Sequence, residues 1–286
     1  MAESRLAIDL SGATVRVLEG AAGGPMRCGE TALPQGALQG GRVLDSEAVG
    51  RALRQVLART EITATRAMIA VSDAIASFRV LTFPTTTSDL EVDNAIKRAL
   101  PTASPRMALS QTEVRNGLPE RTVYAAVWDR SHVQAIADIA RQAGLEPAAI
   151  ELKSLCLARA LRLPGCVMVD LSGDPVEATL IDDHLPRVWH GFQLEPVPKN
   201  DLAASIAVGL RPVLRFYERR PAAGGSFGAD SPILLRSQQV LPDQIMKRLT
   251  RLTGHPVQPI PQPARVPAEV RHETYLTCIG LIMRRQ

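Results

Sequence analysis

A five-residue phrase occurs twice in this chain, at Ile8–Gly12 (IDLSG) and at Val169–Gly173 (VDLSG). In each copy an apolar run ends at an aspartate, passes through a Ser-Gly turn and continues as a second alternating run. Such alternation is typical of half-buried strands. The repeat therefore predicts a duplicated α/β fold, in which Asp9 and Asp170 point into one cleft if the two halves face each other.

Composition sets the class of protein. A chain of 286 residues with 45% hydrophobic residues supports two domains or one large one. Its 33 basic and 29 acidic residues are scattered, whereas a nucleic-acid-binding protein needs a clustered basic stripe. The four cysteines lack the spacing of a disulfide framework or a zinc site. Without an apolar signal segment or a run of roughly 18 apolar residues, we expect a cytoplasmic location.

Helix start signals are found at three places. Asp45 is expected to be the N-cap of one helix, Ser88 and Glu91 form the pattern of a capping box, and Ser131 is expected to cap a third helix. The stretch 67–145 alternates strand and helix patterns and is expected to form a compact α+β module.

A strand that ends in aspartate and a tight turn of small residues suits nucleotide phosphates. Successive backbone N–H groups can converge on the anionic oxygens while the acid holds hydrated Mg²⁺. The pattern Asp-x-Ser-Gly is also an ordinary turn, so a purely structural role stays open. His184 and His190 lack the helical spacing of a metal site, and turn or strand positions are favoured for them.

The order of five segments resembles the actin-like ATPase proteins, specifically the PilM/FtsA family of type IV pilus assembly. Two segments resemble the family's phosphate segments, and three resemble its first long helix, its inserted subdomain and the passage that follows it. In that order the segments are Ile8–Glu19, Val167–Ile181, Leu33–Leu57, Ile75–Pro101 and Val127–Leu161.

The resemblance implies the duplicated ribonuclease H-like architecture of actin, with a subdomain inserted into the first half. The expected ranges are 1–66 with 146–164 for the first actin-like subdomain, 67–145 for the inserted subdomain, and 165–286 for the second actin-like domain.

The resemblance also implies a nucleotide site that holds ATP and Mg²⁺. Asp9 and Asp170 are then the metal-binding acids, and Arg16 falls where the first hairpin commonly has Lys or Arg. The residues implied in cofactor binding are Asp9, Ser11, Gly12, Ala13, Thr14, Arg16, Asp170, Ser172 and Gly173.

Three departures from the family pattern argue against efficient ATP turnover. Ser11 and Ser172 stand where the family usually has Gly, and each copy has its Gly one position late. In the second hairpin, Asp174 adds a negative charge and Pro175 removes a donor N–H. The family's adenosine segment has a Gly-Gly turn, but residues 236–239 here read Arg-Ser-Gln-Gln.

By this resemblance the chain is expected to be a scaffold of a type IV pilus or related secretion system, with weakened or lost nucleotide binding. It would bind the cytoplasmic N-terminal tail of a PilN-like bitopic inner-membrane protein through residues 1–160 and reach the membrane only through that partner. A homo-oligomer stays open. The alternatives are an active Mg²⁺-dependent ATPase of the same family and a small-molecule kinase, for which no catalytic base is evident.

Overall fold

The structure is a computed structural model that describes residues 4–102, 104–114, 120–194, 201–219 and 225–284. Its strands are β1 Arg5–Leu10, β2 Thr14–Gly20, β3 Met26–Ala32, β4 Leu38–Gln39, β5 Arg42–Val43, β6 Arg66–Val71, β7 Ala76–Phe83, β8 Met107–Val114, β9 Arg121–Asp129, β10 Glu146–Leu152, β11 Gly165–Asp170, β12 Val176–Asp182, β13 Leu185–Phe192, β14 Ile233–Arg236 and β15 Val257–Pro259. Its α-helices are α1 Ser46–Arg59, α2 Asp89–Ala99, α3 Arg130–Gln142, α4 Lys153–Leu161, α5 Leu202–Arg219, α6 Asp243–Thr253 and α7 His272–Ile282.

Two five-stranded sheets have the same strand order. The first runs β10-β6-β1-β2-β3 and the second, taken in the same direction, β15-β14-β11-β12-β13. In both, the last two strands along the chain pair in parallel, β10 with β6 and β15 with β14. The predicted duplication is therefore confirmed, with β1 equivalent to β11 and β2 equivalent to β12.

Helices occupy equivalent places in the two repeats. After the first three strands of each five-stranded sheet comes a helix, α1 or α5, which the short β4–β5 hairpin precedes in the first repeat. The fourth strand of the sheet, another helix, α3 or α6, and the fifth strand follow. A final helix, α4 or α7, closes each repeat. The largest difference between the repeats in the described residues is an insertion between β6 and α3.

The insertion consists of a three-stranded sheet of order β7-β9-β8 and helix α2. Val92, Ile96 and Leu100 pack against Val123 and Val127 of β9 to form its core. The expected range of 67–145 was too wide, because β6 and β10 pair within the first five-stranded sheet and α3 packs against α1. Strand pairing confines the insertion to residues between 72 and 129. The sequence Asn116-Gly117, which predicts a hairpin turn between β8 and β9, lies outside the described residues.

Contacts divide the chain into two compact units. One comprises Met1–Ala7, Leu18–Cys28 and Lys153–Gln286, and the other Ile8–Val17 and Gly29–Leu152. In the first unit α5 and α6 cover the second sheet, and α4 packs against α7. In the second unit α3 packs against α1 and β10. Helix α4, the last of the first repeat, therefore packs against α7 and β13 of the second.

The helix caps test the local predictions. Asp45 accepts a hydrogen bond from the Ala48 N–H, and Ser88 with Glu91 forms the predicted capping box. Ser131 is not the cap of α3: Asp129 is, and its carboxylate accepts from the Ser131 backbone N–H at 2.8 Å. A charged carboxylate accepts this hydrogen bond more strongly than a hydroxyl.

Candidate functional site

The first repeated turn follows β1 and closes on its own aspartate. Asp9 is 1% exposed, and its Oδ1 accepts from the Ser11 backbone N–H at 2.9 Å and from the Ser11 hydroxyl. Asp9 has no basic side chain as a partner in the described part of the chain. Among the described residues, no cation therefore compensates this carboxylate.

The other residues of the first hairpin that were predicted to bind the cofactor differ in their conformation and contacts. Gly12 does not adopt a left-handed conformation, and a Cβ added to it would meet no atom within 4 Å. The Ala13 carbonyl accepts from the Leu33 N–H at 2.8 Å, and Thr14 begins β2. Arg16 is buried and its Nε lies 3.1 Å from Glu30 Oε2, so its charge is already paired.

The second repeated turn reproduces the first around Asp170. Asp170 is 3% exposed, and its Oδ1 accepts from the Ser172 backbone N–H at 3.0 Å and from the Ser172 hydroxyl. The two turns therefore share one local hydrogen-bond pattern, as their shared sequence requires. Gly173, Asp174 and Pro175 at the tip are exposed.

Two buried cations hold the other oxygen of Asp170. Lys153, the first residue of α4, places its Nζ 2.7 Å from Asp170 Oδ2, and Arg236, the last residue of β14, places its Nη1 3.1 Å from the same oxygen. The side chains of Lys153 and Arg236 are 9% and 4% exposed. Sequence reasoning did not anticipate either contact.

The strand register explains why a cation lies here. Asp170 of β11 is directly opposite Glu177 of β12, and like charges in that position repel. Lys153 Nζ lies between them, 2.6 Å from Glu177 Oε2. Two carboxylates and two cations therefore neutralise one another within this cluster, which we call the Asp170 cluster: Lys153, Asp170, Glu177 and Arg236.

The electrostatics of Asp170 follow from this arrangement. Burial alone would raise the pKa of its carboxyl, but the charges of Lys153 and Arg236 outweigh burial and hold that pKa well below its ordinary value. Asp170 is therefore ionised and already paired at neutral pH.

The two repeats have side chains of opposite charge at one equivalent position. Arg16 lies seven residues after Asp9, as Glu177 lies seven residues after Asp170. In the first repeat the basic Arg16 pairs away from the aspartate with Glu30, and in the second the acidic Glu177 helps to bind Lys153. The same turn thus carries a cation-free aspartate in one repeat and a neutralised one in the other.

The acidic pair Asp182-Asp183 lies at the other end of β12 from Glu177, and Asp182 has a structural role. This carboxylate is fully buried and accepts from the Phe227 N–H at 2.8 Å, from the Ser226 N–H and from the Tyr217 hydroxyl. It therefore anchors a loop. Across the described ranges, no group of three or more His, Cys, Asp or Glu residues is placed to hold a metal ion.

Comparisons with known proteins identify the fold. No protein-family model and no curated protein matches the sequence. The structure is similar to that of a PilM-PilN type IV pilus biogenesis complex, with a TM-score of 0.69 and 16% identity over 98% of this chain and 97% of that one. It is also similar to a Bacteroides thetaiotaomicron protein with an actin-like ATPase fold and unknown function, with a TM-score of 0.52 and 10% identity over 99% and 96% of the two chains. The chain has the actin-like fold.

A third structure of this fold comes from a secretion system. The cytoplasmic domain of EpsL, an inner-membrane component of the type II secretion system of Vibrio cholerae, matches with a TM-score of 0.56 and 10% identity over 99% of this chain and 97% of that one. In this actin-like chain, no helix within the described ranges combines the length and apolarity needed to cross a membrane.

The contacts of Asp170 determine whether this aspartate can hold the Mg²⁺ of a bound nucleotide. At Asp170, a metal ion would have to displace Lys153 or Arg236 from the same carboxylate oxygen, and Mg²⁺ gives up its water reluctantly. Arg236 is also fixed on its far side, where its Nη2 donates to the Thr274 carbonyl. The donor set at Asp170 therefore does not fit a nucleotide-bound Mg²⁺.

Proposed function

We propose that this chain is a cytoplasmic actin-like scaffold of a type IV pilus or related secretion system that has lost productive nucleotide binding. It attaches to the inner membrane through a bitopic protein whose short cytoplasmic N-terminal tail it binds. The fold similarity to the PilM-PilN complex and to the cytoplasmic domain of EpsL supports the class of assembly.

The observation that carries the loss of nucleotide binding is the Asp170 cluster. A phosphate-binding metal needs an acid with free acceptor capacity, and both oxygens of Asp170 are engaged by this chain's own groups. In this cluster the chain's own cations neutralise the carboxylate of Asp170. In a nucleotide-binding relative, Mg²⁺ would neutralise the equivalent carboxylate. We infer that the second repeat keeps its shape without ligand.

An open sheet edge supports the binding of an extended tail. In the described residues β8 pairs only with β9, so its other edge has unpaired N–H and C=O groups. Residues 110–113 of β8 are exposed. An exposed edge can accept an extended peptide as an added strand, with backbone hydrogen bonds supplying much of the affinity.

Site-specific photo-cross-linking in the native host tests the tail-binding role. A photoreactive residue replaces Gln111 on the exposed part of β8, and the control places it at Arg51, which is exposed on α1. We expect Gln111 to cross-link to the N-terminal tail of a membrane protein with a single spanning helix, and Arg51 not to do so. Equal products from both positions, or a product without a membrane span, would refute the tail-binding role.

Two observations favour the alternative of an active ATPase. Asp9 has no cation partner in the described ranges, and the space next to Gly12 is open. A phosphate or hydrated Mg²⁺ could approach this hairpin. Nucleotide titration distinguishes the alternatives, because an ATPase requires saturable binding of Mg·ATP and release of phosphate.

A further inference from the structure

A concave groove lies between α5 and α6, both of which belong to the unit that contains Lys153–Gln286. Its volume is about 280 Å³, enough for one or two large side chains. Ala204, Ala207 and Leu214 of α5 and Leu252 of α6 supply its apolar lining. Leu252 remains 48% exposed, so the groove offers apolar surface that the described residues do not cover.

The rim of this groove is basic. Arg211 and Arg215 lie four residues apart on α5 and both line the groove, as does Glu218 one turn later. Within the described ranges neither arginine forms an ion pair. An apolar floor with two unpaired guanidinium groups at its rim is complementary to an apolar side chain flanked by carboxylates.

The backbone of α5 lacks one helical N–H donor. Pro212 lies inside this helix and has no N–H, so the carbonyl of Val208 receives no hydrogen bond from the residue four positions later. Val208 is part of the groove lining.

We propose that the α5–α6 groove is a docking site for a partner segment in which a large apolar side chain is flanked by acidic residues. The apolar side chain fills the space above Ala204, Ala207 and Leu252, and the carboxylates pair with Arg211 and Arg215. A peptide fits better than a nucleic acid because Glu218 lies in the wall and the lining contains no aromatic ring on which a base could stack. This site is independent of the Asp170 cluster and of β8.

Selection from a display library of short random peptides on the full chain tests the proposal. The enriched peptides are expected to carry an apolar residue next to Asp or Glu. The enriched sequence is then synthesised with a fluorescent label, and its binding is followed by fluorescence anisotropy. Enrichment of basic or uncharged peptides would overturn the proposal.

Charge variants locate the binding. The double substitution Arg211→Glu with Arg215→Glu is expected to weaken the labelled peptide by roughly tenfold or more, because attraction becomes repulsion. The matched control, Lys247→Glu with Arg251→Glu, makes the same charge change at exposed positions of α6 outside the groove and is expected to leave affinity within roughly threefold at physiological salt. Leu252→Ala is expected to weaken binding without changing charge. Equal loss in the groove and control variants would refute the site.

A milder variant and a hydrodynamic measurement complete the test. Arg211→Gln with Arg215→Gln removes the charges without adding acids and is expected to weaken binding in a variant whose circular dichroism matches that of the wild type. In sedimentation velocity, we expect the wild-type chain not to self-associate through the groove. The Arg211→Gln, Arg215→Gln variant should therefore have the same oligomeric state as the wild type. Such self-association would mean that a second copy occupies the groove and would overturn the assignment to an acidic partner segment.

Discussion

Lys153 Nζ and Asp170 Oδ2 form a buried ion pair of 2.7 Å between the start of α4 and the end of β11. The two residues are 17 positions apart, and Arg236 reaches the same oxygen from β14. Since breaking a buried charge pair leaves the remaining charge uncompensated, this contact fixes α4 against the second sheet. The corresponding aspartate of the first repeat, Asp9, has no such partner in the described residues.

Removing the charge of Asp170 should cost far more than removing that of Asp9. Asp170→Asn leaves Arg236 buried without its carboxylate, and we expect the free energy of unfolding to fall by about 3 to 5 kcal/mol. Asp9→Asn keeps an amide oxygen that can accept from Ser11, so we expect a loss of about 1 kcal/mol. Urea unfolding, followed by circular dichroism, measures both. Similar losses in the two variants would contradict the role assigned to the Asp170 cluster.

The stability conferred by Asp170 should disappear in acid. Its pKa in the folded chain is below the ordinary value of about 3.9, so the unfolded chain takes up a proton at higher pH than the folded one. The contribution is complete above about pH 5 and is lost as the pH falls towards the folded value. We therefore expect the difference in unfolding free energy between wild type and Asp170→Asn to shrink as the pH falls from about 5 to 3. A constant difference over that range would be inconsistent with this cause.

Alanine substitutions at two glycines should show which of them is required for helix packing. A Cβ on Gly280 of α7 would lie 1.9 Å from the Cys156 carbonyl oxygen of α4, so Gly280→Ala must separate the two helices. We expect a loss of at least about 1 to 3 kcal/mol in unfolding free energy. Gly12→Ala, whose Cβ meets no atom within 4 Å, is the control and should change stability by less than about 1 kcal/mol. A large loss for Gly12→Ala would show that its turn needs glycine for structural reasons.

Much of the fold could be predicted because its signals are local. The repeated turn, the N-cap at Asp45 and the capping box of Ser88 with Glu91 each depend on residues within a few positions of one another. The limits of the insertion could not be predicted, since they depend on the pairing of β6 with β10 across the insertion itself. Strand patterns alone do not reveal which sheet a strand joins.

In the candidate site, too, local contacts could be predicted and long-range contacts could not. The turn around each aspartate follows from its sequence, whereas the neutralisation of Asp170 depends on Lys153 and on Arg236, which is 66 residues away. Two signals were nevertheless present in the chain. Lys153 begins an otherwise largely apolar helix, and in a hairpin with this turn Glu177 must lie opposite Asp170. Two facing acids in a buried sheet imply a cation between them.

Isothermal titration calorimetry with Mg·ATP tests the central claim, that the chain's own cations have replaced the nucleotide-bound metal at Asp170. We predict no saturable heat up to millimolar Mg·ATP and no release of phosphate. A saturable heat in the wild type that Asp170→Ala abolishes, in a variant that remains folded, would contradict the claim.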